Sequence, residues 1–154
     1  MIIRPANEQD IPGLLRLLHQ VGQVHHEIRP DIFRSGALKY DETALASLLR
    51  DENRPVFAAV EGEEVLGYCF CIRREFGDSV MTSRKEIYID DLCVEEACRG
   101  QGIAKALYTH VCGWAKAEGC SFVTLNVWNG NGPALAFYEK MGMKPRSITM
   151  DFPL

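Results

Sequence analysis

The chain has 154 residues and a formal net charge of −4, from 17 Lys and Arg against 21 Asp and Glu. That length suits one domain, 1–154, with a real core, and 47% apolar against 25% charged residues is ordinary for a globular chain. The mild acidity argues against a nucleic-acid binder with a basic footprint, and no apolar run approaches the roughly 20 residues of a membrane span.

Ile2-Ile3-Arg4 predicts a short edge strand ended by Pro5. Asn7 can cap the helix that follows, with Glu8 and Asp10 in its first turn. Ile11, Leu14, Leu15, Leu18 and Val21 recur at helical spacing, so this helix buries one stripe. Gly22 to Asp41 reads as irregular, broken by Pro30 and Gly36, with a helical stretch through the histidines left open. Thr43 to Arg50 predicts a second, shorter helix.

Strands dominate the middle. Val56 to Val60 and Val65 to Arg73 form a hairpin about Glu61-Gly62-Glu63-Glu64, and Glu86 to Val94 is a long strand. A helix starts at Gly102, carries Ala104, Leu107, Tyr108, Val111 and Cys112 on its apolar face, and stops at Gly119. Ser121 to Val127 is the next strand, Pro133 to Met141 a short helix, and Ser147 to Phe152 a closing strand. The order β-α-α-β-β-β-α-β-α-β implies an α/β fold, a mixed sheet with helices on its faces.

The N-terminus turns acidic at once and lacks the order of a signal peptide, which predicts a cytoplasmic chain. Of the six cysteines, Cys69 and Cys71 sit in an apolar run, no CxxC pair exists, and buried reduced thiols are expected, with no metal site.

The stretch most informative about chemistry runs from Leu92 to Leu107. A buried strand leads into Arg99-Gly100-Gln101-Gly102, which opens into the amphipathic helix. Such a loop presents unpaired backbone N–H groups where the helix dipole is positive, a place for a phosphate or pyrophosphate. Neither GxxxxGK[ST] nor GxGxxG is present, so an ordinary nucleotide loop is not supported.

Arg99-x-x-Gly102-x-Ala104, followed about thirty residues later by Asn131-x-x-Ala134-x-x-Phe137-Tyr138 and Gly142, resembles the GNAT superfamily of acyl-CoA-dependent N-acetyltransferases. The likeness covers nearly the whole chain and implies a single-domain mixed sheet of about six to seven strands flanked by about four helices. It further implies that the backbone of Leu92, Cys93 and Val94 pairs with the pantetheine arm of acetyl-CoA. Arg99, Gly100, Gln101, Gly102, Ile103 and Ala104 would bind the pyrophosphate. Asn131 would contact the cofactor arm, and Tyr138 would protonate the leaving thiolate.

The acceptor amine must attack as a neutral nucleophile, yet an alkylamine is mostly protonated near pH 7. Glu86, Asp90 and Asp91 are the candidate bases, and Asp90 is the one expected to act in the active site with Tyr138. Strand alternation puts Glu86, Tyr88 and Asp90 on one face and Ile87, Ile89 and Asp91 on the other. A bulge, frequent here in the family, would upset that parity. Tyr88-Ile89-Asp90-Asp91-Leu92 also looks like the diamine and thialysine acetyltransferase branch, with Asp90 where that branch has glutamate. The amide of Cys93 or Val94 is a candidate oxyanion donor, and Cys93 itself is expected to be structural.

By the same resemblance His25, His26, Arg29 and Phe33 border the acceptor pocket. Adjacent histidines diverge by about 100° on a helix and make a poor metal pair, and Trp128 is expected to pack. The expected activity is direct transfer from acetyl-CoA to a primary amine, with a cationic small molecule as acceptor and a protein N-terminus or lysine as the alternative. A non-catalytic acyl-CoA sensor is the rival of a different class. No nucleic acid or membrane partner is expected, and the family tendency is towards homodimers.

Overall fold

The computed structural model describes residues 1–154. Five strands form one sheet in the order β1-β2-β3-β4-β5: Ile2–Pro5, Val56–Glu61, Glu64–Phe76, Arg84–Val94 and Phe122–Leu125. The first four pair antiparallel, whereas β4 and β5 are parallel, as a strand–helix–strand crossover requires. The helices are α1 (Ile11–Ile28), α2 (Glu42–Leu48), α3 (Ile103–Ala117) and α4 (Gly132–Lys140).

The sheet is buried on both faces, so β2 is apolar from Val56 to Val60 instead of alternating. Val56, Ala58, Tyr68, Phe70 and Cys93 face α1 and α2 and pack on Leu14, Leu17, Leu18 and Leu45. Phe57, Ala59, Cys69, Cys71, Ile87 and Ile89 face α3 and pack on Leu107 and Val111. Each fully buried leucine of this kind contributes about 1.5–3 kcal/mol relative to an exposed one.

The first strand is tied to the first helix through charge. Asp10 is 4% exposed. It receives both guanidinium nitrogens of Arg4, at 2.7 and 2.9 Å, and the Asn7 amide at 2.8 Å. Burial alone would raise its pKa, but these donors outweigh it and hold the carboxyl below its ordinary range. The resulting stabilisation is present above the ordinary carboxylate pKa and lost as pH falls through the lowered one. Asp10→Ala should cost about 2–3 kcal/mol, because it leaves a half-buried guanidinium and an orphaned cap amide. In urea unfolding the midpoint should drop at unchanged slope; a shift within error of zero would show that water replaces the carboxylate.

Two sequence expectations need correction. Helix α1 does not end near Gly22 but runs through both histidines to Ile28, since one glycine costs a helix only about 1 kcal/mol. Residues 147–152 form no strand, so the sheet has five strands, not six or seven. Their alternating apolar pattern meets no covering layer: Ile148, Met150 and Phe152 are 82%, 88% and 84% exposed. Arg146 on Glu86 and Asp151 on Arg29 tie this tail down instead.

Candidate active site

The turn before α3 has the predicted character. Gly100 and Gly102 adopt φ of +78° and +82°, a region where a side chain is strained. Gly102 caps α3 without a side-chain hydrogen bond. The first intrahelical bond at this end runs from the Ala106 amide to the Gly102 carbonyl, and no amide from Gly100 to Lys105 donates within the chain. Six consecutive N–H groups at the positive end of a helix dipole therefore have no acceptor within the chain, an arrangement chemically suited to an anion.

Beside that turn the sheet opens. β4 and β5 pair only from Glu86–Phe122 to Ile89–Leu125 and then part. Beyond that point β4 keeps β3 on one edge, with Leu92 opposite Cys69 and Val94 opposite Gly67. The Glu95 amide donates to the Leu66 carbonyl. The two-residue repeat of an antiparallel ladder then turns the backbone of Leu92 and Val94 away from β3, into the wedge. The Val94 carbonyl accepts from Gln20 Nε2 at 2.9 Å. The ladder thus favours Val94 over Cys93 as an amide donor to the wedge. The Cys93 thiol is buried, accepts from Gln20 at 3.3 Å, and burial pushes its pKa up to about 12, the state of a structural cysteine.

The carboxylates are arranged by a bulge. Phe70 pairs with Asp91 and Cys71 with Ile89, so Asp90 is the extra residue of β4. Ile87 and Ile89 belong to the α3 side, but Cys93 belongs to the α1 side and Leu92 to the α3 side. The bulge that the family likeness raised is therefore present, and it sets Asp90 and Asp91 on one face where plain alternation would oppose them. Asp90 reaches Lys39 at 2.7 Å and Arg54 at 3.7 Å. Asp91 accepts from the hydroxyl of buried Tyr68, a residue of the α1 face, at 2.9 Å. Both point towards α1 and α2.

Asp91 is enclosed, and burial pushes its pKa up to about 6; the opposing help of Tyr68 and Lys39 is too small, and the charge of Asp90 adds to the rise. Glu86 leaves the contest. It is 2% exposed and clamped by Arg84 at 2.6 Å and Arg146 at 2.9 Å. Burial would raise its pKa, but the two guanidinium groups hold it below the ordinary range.

Helix α4 brings the remaining two residues. The Asn131 side-chain oxygen caps it through the Ala134 amide at 3.3 Å, leaving Nδ2 to donate elsewhere. Tyr138 packs its ring on Phe137 and Tyr108, at centroid distances of 5.0 and 6.2 Å. Burial, with the charges of Cys69 and Asp91 behind it, raises the phenol far above its ordinary pKa. It stays protonated throughout the neutral range and is close enough to Asp91 to feel its charge.

Among the residues expected to border an acceptor pocket, His25 stacks on Phe33 at 5.0 Å, and Phe33 meets Trp128 edge-on at 5.0 Å. His26 Nδ1 lies 2.7 Å from the Phe33 carbonyl, whereas Arg29 turns outward to Asp31 and Asp151. Three of the four predicted pocket residues are thus together, with Trp128 as part of the same wall. Sequence reading missed Lys39, Arg54 and Tyr40. Arg54 donates to the Tyr40 hydroxyl at 2.5 Å, and Lys39 lies 5.7 Å from the Tyr40 ring centre. Lys39 and Asp90 are 51 residues apart, and no spacing rule links them. All six cysteines are free and no group of residues is arranged for a metal. A surface hollow of about 660 Å³ among Pro5, Leu49, Arg73 and Trp114 shares no residue with this site.

The chain belongs to the acetyltransferase (GNAT) family, whose sequence model matches residues 22–143. It is an N-acetyltransferase. Among curated proteins it is similar to the thialysine N-epsilon-acetyltransferases of Sus scrofa, 28% identical over 147 residues, and Mus musculus, 27% over 143; these matches cover 94% and 91% of this chain and 84% and 82% of theirs. Among solved structures, a tetramutant of the BH1408 protein of Bacillus halodurans superposes with a TM-score of 0.95 at 33% identity, over 100% of both chains. The aminoglycoside N-acetyltransferase AAC(6')-Iy in complex with CoA shares the fold, with a TM-score of 0.73 at 15% identity over 99% of this chain and 98% of that one. No helix is long and apolar enough to cross a membrane.

Proposed function

We propose that the enzyme transfers an acetyl group from acetyl-CoA directly to the primary amine of a small molecule, within a ternary complex. The observation that carries this reading is the run of six free amides at the α3 turn, beside a wedge whose β4 strand carries the Asp90–Asp91 carboxylate pair. The diphosphate lies on the amides of Gly100 to Lys105, and the pantetheine arm lines the exposed backbone of Leu92 and Val94, with Asn131 Nδ2 donating to it. CoA supplies the activated thioester; the chain supplies position and proton transfer.

Asp91 is the base in this reading. With a pKa near 6 it is ionised at pH 7 and can take the proton that the acceptor ammonium must lose before its nitrogen attacks the thioester carbonyl. Asp90 draws the cationic acceptor in, and the Val94 amide steadies the carbonyl oxygen as charge gathers there. Tyr138 gives its proton to the departing thiolate. The names of the thialysine relatives and the carboxylate pair both support a compact cationic amine as acceptor. Six free thiols suit a reducing compartment, which supports a cytoplasmic enzyme.

The test is thiol release from acetyl-CoA with purified protein and a panel of thialysine, lysine, diamines, aminoglycosides and short peptides. Turnover is expected with the small amines. Tyr138→Phe should lower kcat about 100-fold, the usual range for a lost general acid, and leave CoA affinity within twofold. CoA binding without turnover on any amine would favour the sensor reading; neither binding nor turnover would end both.

A further inference from the structure

The acceptor site already contains a primary amine. Lys39 comes from the irregular segment between α1 and α2, and its Nζ is 2.7 Å from Asp90 Oδ2. Its charge reaches Asp91 on one side and His25 on the other. It therefore occupies the Asp90 carboxylate, beside Tyr40, where an acceptor ammonium is expected. The other cation at Asp90 is Arg54, a guanidinium and not a nucleophile. We propose that Lys39 is a self-acetylation site: without a free amine, the enzyme transfers the acetyl group from acetyl-CoA to its own Lys39 Nζ. This rests on the proposed acyl transfer and adds a second acceptor to it.

The step balances with the same groups. The Lys39 ammonium gives a proton to the Asp91 carboxylate and its lone pair attacks the thioester carbonyl carbon. The C–N bond forms as the C–S bond breaks, the thiolate takes the Tyr138 proton, and the remaining amine proton leaves to solvent, which also restores the phenol. The products are N-acetyl-Lys39 and CoA. Burial lowers the Lys39 pKa, but the hydrogen bond and charge of Asp90 more than reverse this and hold the ammonium above its ordinary range. Self-transfer is therefore slower than turnover of a free amine. The side chain is 45% exposed and its segment has no ladder or helix to hold it, so it can withdraw when an acceptor enters. Once acetylated, Lys39 no longer neutralises Asp90, and the site becomes more attractive to a cationic acceptor.

Purified full-length protein is incubated with acetyl-CoA alone, and acetylation at each lysine is followed by peptide mass spectrometry. Lys39 should gain 42 Da at least tenfold faster than Lys85, Lys105, Lys116, Lys140 and Lys144. Its rate constant should not depend on protein concentration, should fall in Tyr138→Phe by the same factor as amine turnover, and should fall when a turned-over amine is added. Three results would overturn the proposal: Lys39 unmodified in a preparation that acetylates free amines; Lys39 modified no faster than the other five; or a rate that rises with protein concentration, which means transfer between molecules. In the first case the acyl-transfer function stands without it. If no free amine is turned over and Lys39 is unmodified, binding of CoA by calorimetry decides whether the transfer reading fails as a whole.

Discussion

Asp91→Asn should lower kcat by about 10²–10⁴-fold, the range a positioned general base supplies, while CoA still binds. The variant removes one proton acceptor and keeps an oxygen for the Tyr68 hydroxyl, so the bulge and the α1 face should survive. The wild-type kcat/KM should rise with pH through about 6, where the buried carboxyl loses its proton; the variant's residual activity should lack that step. Asp90→Asn should act on KM for cationic acceptors more than on kcat, since Asp90 is engaged with Lys39 and Arg54. If Asp90→Asn abolishes the step near pH 6 and Asp91→Asn keeps it, the roles are reversed.

The same substitution has a consequence for stability. The Asp91 pKa in the folded chain, about 6, lies above its ordinary 3.8. The folded state thus holds this proton more tightly, and the contribution of Asp91 to stability is fully present below about pH 4 and is lost as pH rises through about 6. The difference corresponds to at most about 3 kcal/mol, an upper bound because the residue still meets solvent in part. Asp91→Asn should therefore melt at or above the wild-type temperature at pH 7.5, with the gap closing towards pH 4. Lower stability at every pH would mean that the ionised carboxylate holds the fold together.

Gly102→Ala should weaken CoA binding about 10–100-fold, the effect of losing one charge-assisted amide contact worth about 1.5–3 kcal/mol. No protein atom lies within 4 Å of a Cβ built there, so the packing of the free chain does not suffer. The side chain enters the space an anion needs, and the left-handed backbone resists it. Gly119 is the control, because it has φ of +75° at the other end of α3 with equal room for a Cβ. Gly119→Ala should cost a similar 1–2 kcal/mol of stability and leave CoA affinity unchanged. Calorimetry with CoA separates the two; equal affinities in both variants would mean that the turn before α3 holds no phosphate.

What could be read from the sequence was what depends on neighbours along the chain. The α3 turn needs only Gly100, Gly102 and the apolar stripe from Ala104 to Val111, all within a few residues. The bulge at Asp90 depends on how β3 meets β4, and Phe70 lies about twenty residues away; alternation alone put Asp91 on the wrong face. Lys39 is invisible for the same reason, as its partner is a strand beyond the next helix and hairpin. The tail from Ser147 failed in the opposite sense. Its alternation of Ile148, Met150 and Phe152 states what a strand could bury, not whether an edge is there to receive it. Asn131 and Tyr138 lie on α4 beside the wedge, but their contact with a ligand was inferred from likeness, and only their placement follows from the fold.

The short β4–β5 ladder makes the enzyme's architecture depend on what it consumes. Four residue pairs hold the fork shut at one end, and past Ile89 that edge of β4 has no neighbouring strand, only the Gln20 side chain on the Val94 carbonyl. In the proposed reading an extended thioester arm laid there would act as a borrowed rung, so that loading the enzyme and finishing the sheet would be one event. Saturating co-substrate at a hundredfold excess over Kd then adds about 2.7 kcal/mol to stability. Between turnovers, the emptied enzyme is the looser one.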